Sequence, residues 1–168
     1  MGPGLGQSDW SRWLFDRVLQ TGKPGVMDAD ALNLLSSKSV TLDDWVLTPH
    51  KGEAARLLGD MDENRFVAAD AIQKKFGGVT VLKGAGTLIT DGSVTSVCPY
   101  GNPGMATAGM GDVLSGVIGG LMGQGLSPLA AAQKAVVFHA YAGDQAARQG
   151  QRGMIATDVI PIIRMLVG

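Results

Sequence analysis

A lone acidic residue, Asp112, stands inside a glycine-rich stretch, GNPGMATAGMGDVLSGVIGGLMGQG, which spans residues 101–125 and holds nine glycines. Glycine lets backbone N–H groups approach a ligand closely, and the start of a helix attracts anions. A site that only bound phosphate would be weakened by a carboxylate, since like charges repel. Asp112 is therefore predicted to handle a proton or a metal beside a phosphate. The alternative is an aspartate that only caps the helix which follows.

A second motif, VLKGAGT, places Lys83 at the end of a β-branched run and follows it with bare amides and a hydroxyl. These groups can all bind phosphate oxygens. The spacing differs from that of the P-loop, so the motif is not a Walker A sequence. Taken alone, it also fits a lysine in a glycine turn between two strands. The predicted phosphate ligands are Lys83, Gly84, Ala85, Gly86 and Thr87.

Two further motifs carry polar side chains at the start of helices. In LTPHKGEAARLLG, His50 and Glu53 lie three residues apart, so both face one side of a helix start. His50 could donate a hydrogen bond to a substrate, or the pair could simply complete a helix cap. In DADALN, Asp28 could orient a substrate or a water molecule, and a capping role is the ordinary explanation for Asp30. Only one other histidine is present, His139, so we expect no protein metal site.

The pattern of elements predicts a layered α/β protein with a mostly parallel sheet flanked by helices, in a single domain over residues 1–168. Ligands of such sheets gather at the carboxyl ends of the strands. Asp28, His50 and Lys83 each follow a predicted strand, so we expect them to meet at one edge of the sheet, with the Asp112 loop nearby. The predicted helices cover about 9–20, 29–36, 50–59, 63–76, 111–122, 128–149 and 157–166, with Ser8 or Asp9, Asp62 and Thr157 as caps. The predicted strands are 25–27, DDWVLTP, GGVTVLKG and a hairpin turning at Asp91-Gly92.

Composition narrows the functional classes. The chain has 168 residues, 45% hydrophobic, and a net charge of −1 without a basic block, so nucleic acid and anionic membranes are not predicted partners. It shows no secretory signal or apolar run long enough to span a bilayer. The single cysteine, Cys98, indicates a reducing, cytoplasmic location. A glycine-rich turn, GPGLG at residues 2–6, comes directly after Met1 with no strand before it, which predicts a piece of a longer protein.

These motifs together resemble the NAD(P)H-hydrate dehydratase domain of the bifunctional nicotinamide-nucleotide repair enzymes, a branch of the ribokinase-like superfamily. The resemblance is carried by GPGLG, DADALN, LTPHKGEAARLLG, VLKGAGTLITDG and GNPGMATAGMGDVLSGVIGGL, in the family's order, and it covers nearly the whole chain. It implies a ribokinase-like fold and a metabolite-repair lyase that restores NADH or NADPH from its hydrate.

The resemblance also implies a mechanism. The hydroxyl of the hydrate is phosphorylated by ADP in bacteria, or by ATP in eukaryotes, with Mg²⁺ present, and phosphate then leaves. Asp112 would act as general base. Substrate contacts would come from Gly4, Gly6, His50 and Asp112, and nucleotide contacts from Lys83, Gly84, Ala85, Gly86, Thr87 and Gly111.

One departure from the family concerns the start of the chain. Family domains extend well upstream of GPGLG, so an N-terminal portion of the sheet is expected to be absent. An incomplete sheet exposes an edge and apolar surface, which predicts a homo-oligomer. The family also implies an epimerase, upstream or separate. Two alternatives stay open: a small-molecule kinase of the same superfamily that acts on a vitamin precursor, and a non-catalytic nucleotide-binding fragment.

Overall fold

A five-stranded sheet forms the middle layer of the protein, which a computed structural model describes over residues 1–167. The strands follow the chain in order across the sheet, and the first three are parallel whereas the last two continue as an antiparallel hairpin. The predicted layered α/β architecture is therefore confirmed, with a mixed sheet whose parallel part holds the first three strands. The strands are β1 (Gly25–Met27), β2 (Trp45–Leu47), β3 (Val79–Leu82), β4 (Leu88–Thr90) and β5 (Thr95–Val97).

Within residues 1–167, six helices cover the two faces of this sheet, and a seventh packs against the fifth and sixth. One apolar cluster packs the first four helices against the sheet face that carries Met27 and Leu82, and a second packs the fifth and sixth against the face that carries Val26 and Val81. The alternation of side chains along each strand separates the two clusters. The helices are α1 (Asp9–Gln20), α2 (Asp30–Leu35), α3 (Lys51–Leu58), α4 (Arg65–Phe76), α5 (Met110–Gly123), α6 (Pro128–Ala146) and α7 (Ala156–Val167). Over residues 1–167, no helix combines the length and the apolar character that crossing a membrane requires.

The helix caps follow the sequence in part. Ser8 caps α1 as predicted. Asp62 does not cap α4, because Asn64 is the residue that lies directly before the helix with extended backbone, and its side chain accepts from the Phe66 N–H. The carboxylate of Asp62 instead accepts a hydrogen bond from the Asn64 N–H at 2.7 Å. The predicted cap at Thr157 is also wrong, since α7 already begins at Ala156.

The predicted hairpin is present, with a wider turn than an Asp-Gly pair alone requires. Thr90 pairs with Thr95, so four residues, 91–94, connect β4 and β5. The carboxylate of Asp91 organises this loop by accepting hydrogen bonds from the N–H groups of Ser93 and Val94, both at 2.9 Å. These hydrogen bonds lower the pKa of Asp91 below its ordinary value.

The glycine-rich segment before α5 is fixed to α6. Asp144 on α6 accepts hydrogen bonds from the Gly101 N–H at 3.0 Å and from the Asn102 side-chain amide at 2.9 Å. Gly143 leaves room for Met105, because a Cβ there would lie 2.3 Å from the sulfur of that side chain and would make it move. The approach to α5 is thus held by contacts with α6.

Candidate active site

Three parallel strands bring their polar residues together at one edge of the sheet, as the sequence predicts. Asp28 follows β1, Lys83 follows β3, and the two side chains form an ion pair with 2.7 Å between Nζ and Oδ1. Glu53, at the start of α3 after β2, places Oε2 3.8 Å from the same ammonium group. The site is therefore built around one cation between two carboxylates, both less than a tenth exposed.

Asp28 is the most connected side chain of the site, and it is 2% exposed. Its Oδ1 accepts from Lys83 and from the Ala29 N–H at 2.9 Å, and its Oδ2 accepts from the hydroxyl of Ser115 at 2.8 Å. Burial alone raises the pKa of Asp28. The Lys83 charge and the hydrogen bonds from Lys83, Ser115 and Ala29 outweigh burial and hold this pKa below its ordinary value. Asp28 is therefore an ionised carboxylate at neutral pH.

The residue after Asp28 has an unusual backbone. Ala29 is the one non-glycine residue of the described chain, residues 1–167, with a positive φ, at 49°. Such a conformation is strained for an L-residue and is found preferentially at functional sites. The Ala29 N–H donates to the Asp28 carboxylate at the point where β1 ends and α2 begins. The strain thus accompanies the placing of Asp28.

Lys83 points into the protein and not into the turn that follows it. Its side chain is 19% exposed, and its ammonium group lies between Asp28 and Glu53. A phosphate at the neighbouring turn would share this cation with two carboxylates. The role of Lys83 toward a nucleotide stays a prediction.

The turn after Lys83 presents free backbone donors. Within residues 1–167, the N–H groups of Gly84, Ala85 and Gly86 make no hydrogen bond. The hydroxyl of Thr87 donates to the Gly84 carbonyl at 3.0 Å and closes the turn. Successive unpaired amides in a tight turn form a concave anion site. The backbone of this turn therefore fits the predicted phosphate ligands.

His50 caps α3 and keeps one ring nitrogen available. Its Nδ1 accepts from the Gly52 N–H at 2.9 Å and from the Glu53 N–H at 3.4 Å, and Glu53 accepts from the His50 N–H at 2.8 Å. The capping alternative for this pair is thus correct. Since Nδ1 acts as an acceptor, the proton of the neutral ring belongs on Nε2. The side chain is 54% exposed, so Nε2 can still donate to a ligand.

Asp112 lies in the first turn of α5 without capping it. Gly109 occupies the cap position with φ 86°, and no side chain caps this helix. Asp112 is exposed, and within residues 1–167 its carboxylate makes no hydrogen bond or ion pair. The residue before Asp112 is Gly111, and a larger side chain would be crowded there. A Cβ on Gly111 would lie 3.1 Å from the Lys83 nitrogen and 3.4 Å from Asp28 Oδ2. The first turn of α5 therefore sits directly on the Lys83–Asp28 pair.

The GPGLG turn lies beside the end of β1. Gly2 has to be glycine, since a Cβ there would lie 1.8 Å from the Asp28 carbonyl oxygen. The Gly6 N–H donates to Asp30 Oδ2 at 2.8 Å, so Asp30 holds this turn and does not cap α2, which has no side-chain cap. Gly4 and Gly6 are exposed, with φ of 70° and 73°. The turn is thus placed next to the site, although its contact with a substrate stays a prediction.

His139, which the sequence marked as structural, is buried in α6. Burial lowers its pKa to about 4, with the Lys83 charge acting in the same direction and the Met110 backbone opposing it. His139 is therefore neutral at physiological pH. Across residues 1–167, no three His, Cys, Asp or Glu side chains are arranged to hold a metal ion.

Sequence reasoning missed two residues of this region. Ser115 joins α5 to β1 through Asp28, and its hydroxyl lies 3.3 Å from that of Thr48. Arg65, the first residue of α4, donates to carbonyl oxygens at the end of β3 and in the turn. Neither residue stands in a motif with its partner, so no local signal marked the contacts.

Comparison with known proteins identifies the family of the chain. The family model for NAD(P)H-hydrate dehydratase matches residues 1–165. The bifunctional NAD(P)H-hydrate repair enzyme Nnr of Coxiella burnetii is 54% identical over 173 residues, which cover 99% of this chain and 36% of that protein. The chain thus spans about a third of the length of this relative.

Two solved structures share the fold. A ribokinase-like superfamily protein of Enterococcus faecalis superposes with a TM-score of 0.88 at 28% identity, over 99% of this chain and 61% of that chain. The ADP/ATP-dependent NAD(P)H-hydrate dehydratase of Bacillus subtilis, co-crystallised with ATP and Mg²⁺, gives a TM-score of 0.86 at 28% identity, over 99% of this chain and 62% of that one. The fold is ribokinase-like, and the chain belongs to the NAD(P)H-hydrate dehydratase family.

Proposed function

We propose that the chain catalyses the ADP-dependent dehydration of hydrated NADH and NADPH. The observation that carries this proposal is the Asp112 carboxylate, which is exposed and makes no hydrogen bond or ion pair within residues 1–167. It lies in the first turn of α5. The neighbouring acids Asp28, Asp30 and Glu53 each make a structural contact. Family membership supplies the reaction. ADP and ATP are the candidate nucleotides, because the Bacillus subtilis relative is described as dependent on either.

The nucleotide would bind with its phosphates toward the turn at residues 84–87 and the first turn of α5. Three free amides in the turn, together with the first turn of α5 around Gly111, offer donors and partial positive charge to anionic oxygens. Lys83 lies beneath both and adds a cation. We therefore keep Lys83, Gly84, Ala85, Gly86, Thr87 and Gly111 as the proposed nucleotide ligands.

Asp112 would take the proton of the hydrate hydroxyl as its oxygen attacks the terminal phosphorus of the nucleotide. The bond between that phosphorus and the rest of the nucleotide breaks, so AMP leaves when ADP is the donor. Loss of the phosphate group from one ring carbon and of a proton from the adjacent carbon to solvent then restores the double bond of the nicotinamide ring. His50 can orient the substrate through Nε2–H, because its Nδ1 is occupied in the helix cap. Gly4 and Gly6 would contribute backbone contacts from the turn next to β1.

Mg²⁺ fits this site as a partner of the nucleotide. The described residues form no cage of three protein ligands, and Mg²⁺ usually needs only one or two carboxylates when phosphates and water complete its shell. In the proposed arrangement the nucleotide phosphates and water ligate the ion, so Asp112 keeps its lone pairs for the proton. When bound, the ion would screen the negative charge of the phosphates.

The proposal also covers the cellular location, the assembly and the supply of substrate. We place it in the cytoplasm, supported by a lone cysteine that is buried and free. A homo-oligomer is supported by exposed apolar side chains, among them Trp10, Trp13 and Met165. An epimerase that supplies the correct hydrate, upstream or separate, accords with the bifunctional description of the Coxiella burnetii relative.

The test is a coupled assay and product analysis. Hydrated NADH, ADP and Mg²⁺ are mixed with the chain, and recovery of the NADH absorbance is followed while AMP and inorganic phosphate are measured. A kinase of the same superfamily would leave a stable phosphate ester. ADP binding without any turnover would identify a non-catalytic module and overturn the proposal.

A further inference from the structure

Arg65 connects α4 to the turn that follows β3. Its guanidinium group donates through Nη2 to the Leu82 carbonyl at 3.2 Å and through Nη1 to the Ala85 carbonyl. Leu82 is the last residue of β3, and Ala85 lies in the middle of the turn. One planar side chain thus contacts the backbone on both sides of Lys83, at the end of β3 and within the turn that carries the free amides.

Because the peptide bond is planar, the direction of each carbonyl fixes the direction of the N–H group that follows it. In a trans peptide the C=O and the following N–H point in opposite directions. The Leu82 carbonyl faces Arg65, and the Lys83 N–H accordingly faces the other way, onto the Pro49 carbonyl at 2.8 Å. By the same rule, the Ala85 carbonyl on Arg65 directs the Gly86 N–H away from Arg65. That N–H makes no hydrogen bond within residues 1–167.

The turn needs such a restraint because its backbone is permissive. Gly84 and Gly86 have φ of 151° and 65°, in regions where glycine moves freely. If the Ala85 peptide rotated, its carbonyl oxygen would replace the Gly86 N–H on the ligand side and repel a phosphate. A Cβ on Gly84 would lie 3.0 Å from Arg65 Nη2, so the arginine also packs closely against the turn.

We propose that Arg65 is a positioning residue for the nucleotide: it holds the turn at residues 84–87 with its amides directed outward, toward the phosphate of ADP. The inference rests on the proposed function, since it assumes that the nucleotide binds at this turn. Arg65 acts through the backbone. A lysine would keep the charge but could not reach two carbonyls with a rigid fork of donors.

The test uses Arg65→Lys and Arg65→Met, with Arg17→Met on α1 as the matched control. Within residues 1–167, the Arg17 guanidinium donates to Gln20 and lies over the Trp13 ring, and it is not part of the turn. ADP affinity is measured by calorimetry. We expect both Arg65 variants to bind ADP about 10- to 100-fold more weakly, the scale set by losing one or two hydrogen bonds to a charged group. The KM for ADP should rise by a similar factor, with kcat and the KM for the hydrate nearly unchanged. Arg17→Met should bind like the unmodified chain.

The decisive variant is Arg65→Lys, which remains informative if Arg65→Met does not fold. An Arg65→Lys chain that is folded by circular dichroism and binds ADP with unchanged affinity would overturn the inference, because charge alone would then suffice. Ala85→Asp separates this result from failure of the proposed function, since it places a carboxylate on the exposed turn. Weak binding by Ala85→Asp with normal binding by Arg65→Lys rejects the role of Arg65 alone. Normal binding by Ala85→Asp rejects the nucleotide site itself, and the role of Arg65 with it.

Discussion

Removing the cation from the centre of the site is expected to destabilise the protein in a pH-dependent way. Lys83 lies 2.7 Å from Asp28 and 3.8 Å from Glu53, and both carboxylates are nearly fully buried. Lys83→Met keeps most of the side-chain volume and removes the lysine charge from between the two carboxylates. Breaking a buried ion pair from one side costs about 3–5 kcal/mol. We expect the free energy of unfolding to decrease by about 3 kcal/mol at pH 7. This value is near the lower end of the range because the lysine side chain is 19% exposed.

The pH dependence follows from the pKa of Asp28. In the unmodified chain this pKa is held below its ordinary value, so its contribution to the free energy of unfolding is present at neutral pH and is lost as the pH falls through the folded value. In Lys83→Met, burial is no longer outweighed by the lysine charge, so we expect a raised pKa. As the pH falls, protonation of Asp28 removes a buried charge and makes the variant less unstable. The difference in the free energy of unfolding between the two proteins should therefore be largest near pH 7 and smaller in acid.

Urea unfolding followed by tryptophan fluorescence at several pH values measures this difference. Lys74→Met is the control, because Lys74 pairs with Asp70 at 2.7 Å on the surface, with side chains 72% and 41% exposed. Such a pair contributes about 0.5 kcal/mol or less. A difference for Lys83→Met no larger than the control's, or one that does not change with pH, would refute the reasoning about the buried cluster.

Further predictions concern catalysis, nucleotide binding, acid stability and assembly. Asp112→Asn should leave ADP affinity within a few-fold and reduce turnover by about 10²- to 10⁴-fold, the usual contribution of a general base; turnover at the unmodified rate would exclude that role. Lys83→Met should weaken ADP binding by about 10- to 100-fold in calorimetry, and unchanged affinity would remove Lys83 from the nucleotide site. The pKa of His139 in the folded chain is about 4, below its ordinary value of 6.5. Between these two values the unfolded chain binds more protons, so the free energy of unfolding decreases as the pH is lowered. His139→Gln should flatten this fall, by up to about 1.4 kcal/mol per pH unit, and an unchanged slope in urea titrations would contradict it. Sedimentation should show an oligomer, and a stable monomer at all concentrations would contradict the assembly proposal.

The features that the sequence predicted well have local causes. The strand β3 is a β-branched run between glycines, and the hairpin is marked by Asp91-Gly92. The cap formed by His50 and Glu53 depends only on a spacing of three residues. Convergence at the sheet edge was predictable as well, because parallel strands carry their following residues to the same side.

The features that the sequence could not predict depend on side chains from distant segments. Lys83 and Asp28 are 55 residues apart in the chain, and Ser115 and Asp28 are 87 apart. A long lysine side chain can extend toward the turn or fold back, and only the buried carboxylates decide in favour of the second. Arg65 gave no signal for a similar reason, since its partners are backbone carbonyls that no residue type identifies.

The distribution of hydrogen bonds among the acids at the sheet edge supports the choice of Asp112 as the reacting carboxylate. Asp28 is held by Lys83, Ser115 and Ala29, Asp30 by the Gly6 N–H, and Glu53 by the His50 N–H. Each of these three acids already accepts a hydrogen bond that ties it to the fold. Asp112 makes no such contact within residues 1–167, while α5 is held in place through Ser115 and Gly111. A general base needs free lone pairs on a fixed element, and Asp112 is the one of these four acids whose two oxygens both stay free of hydrogen bonds within residues 1–167.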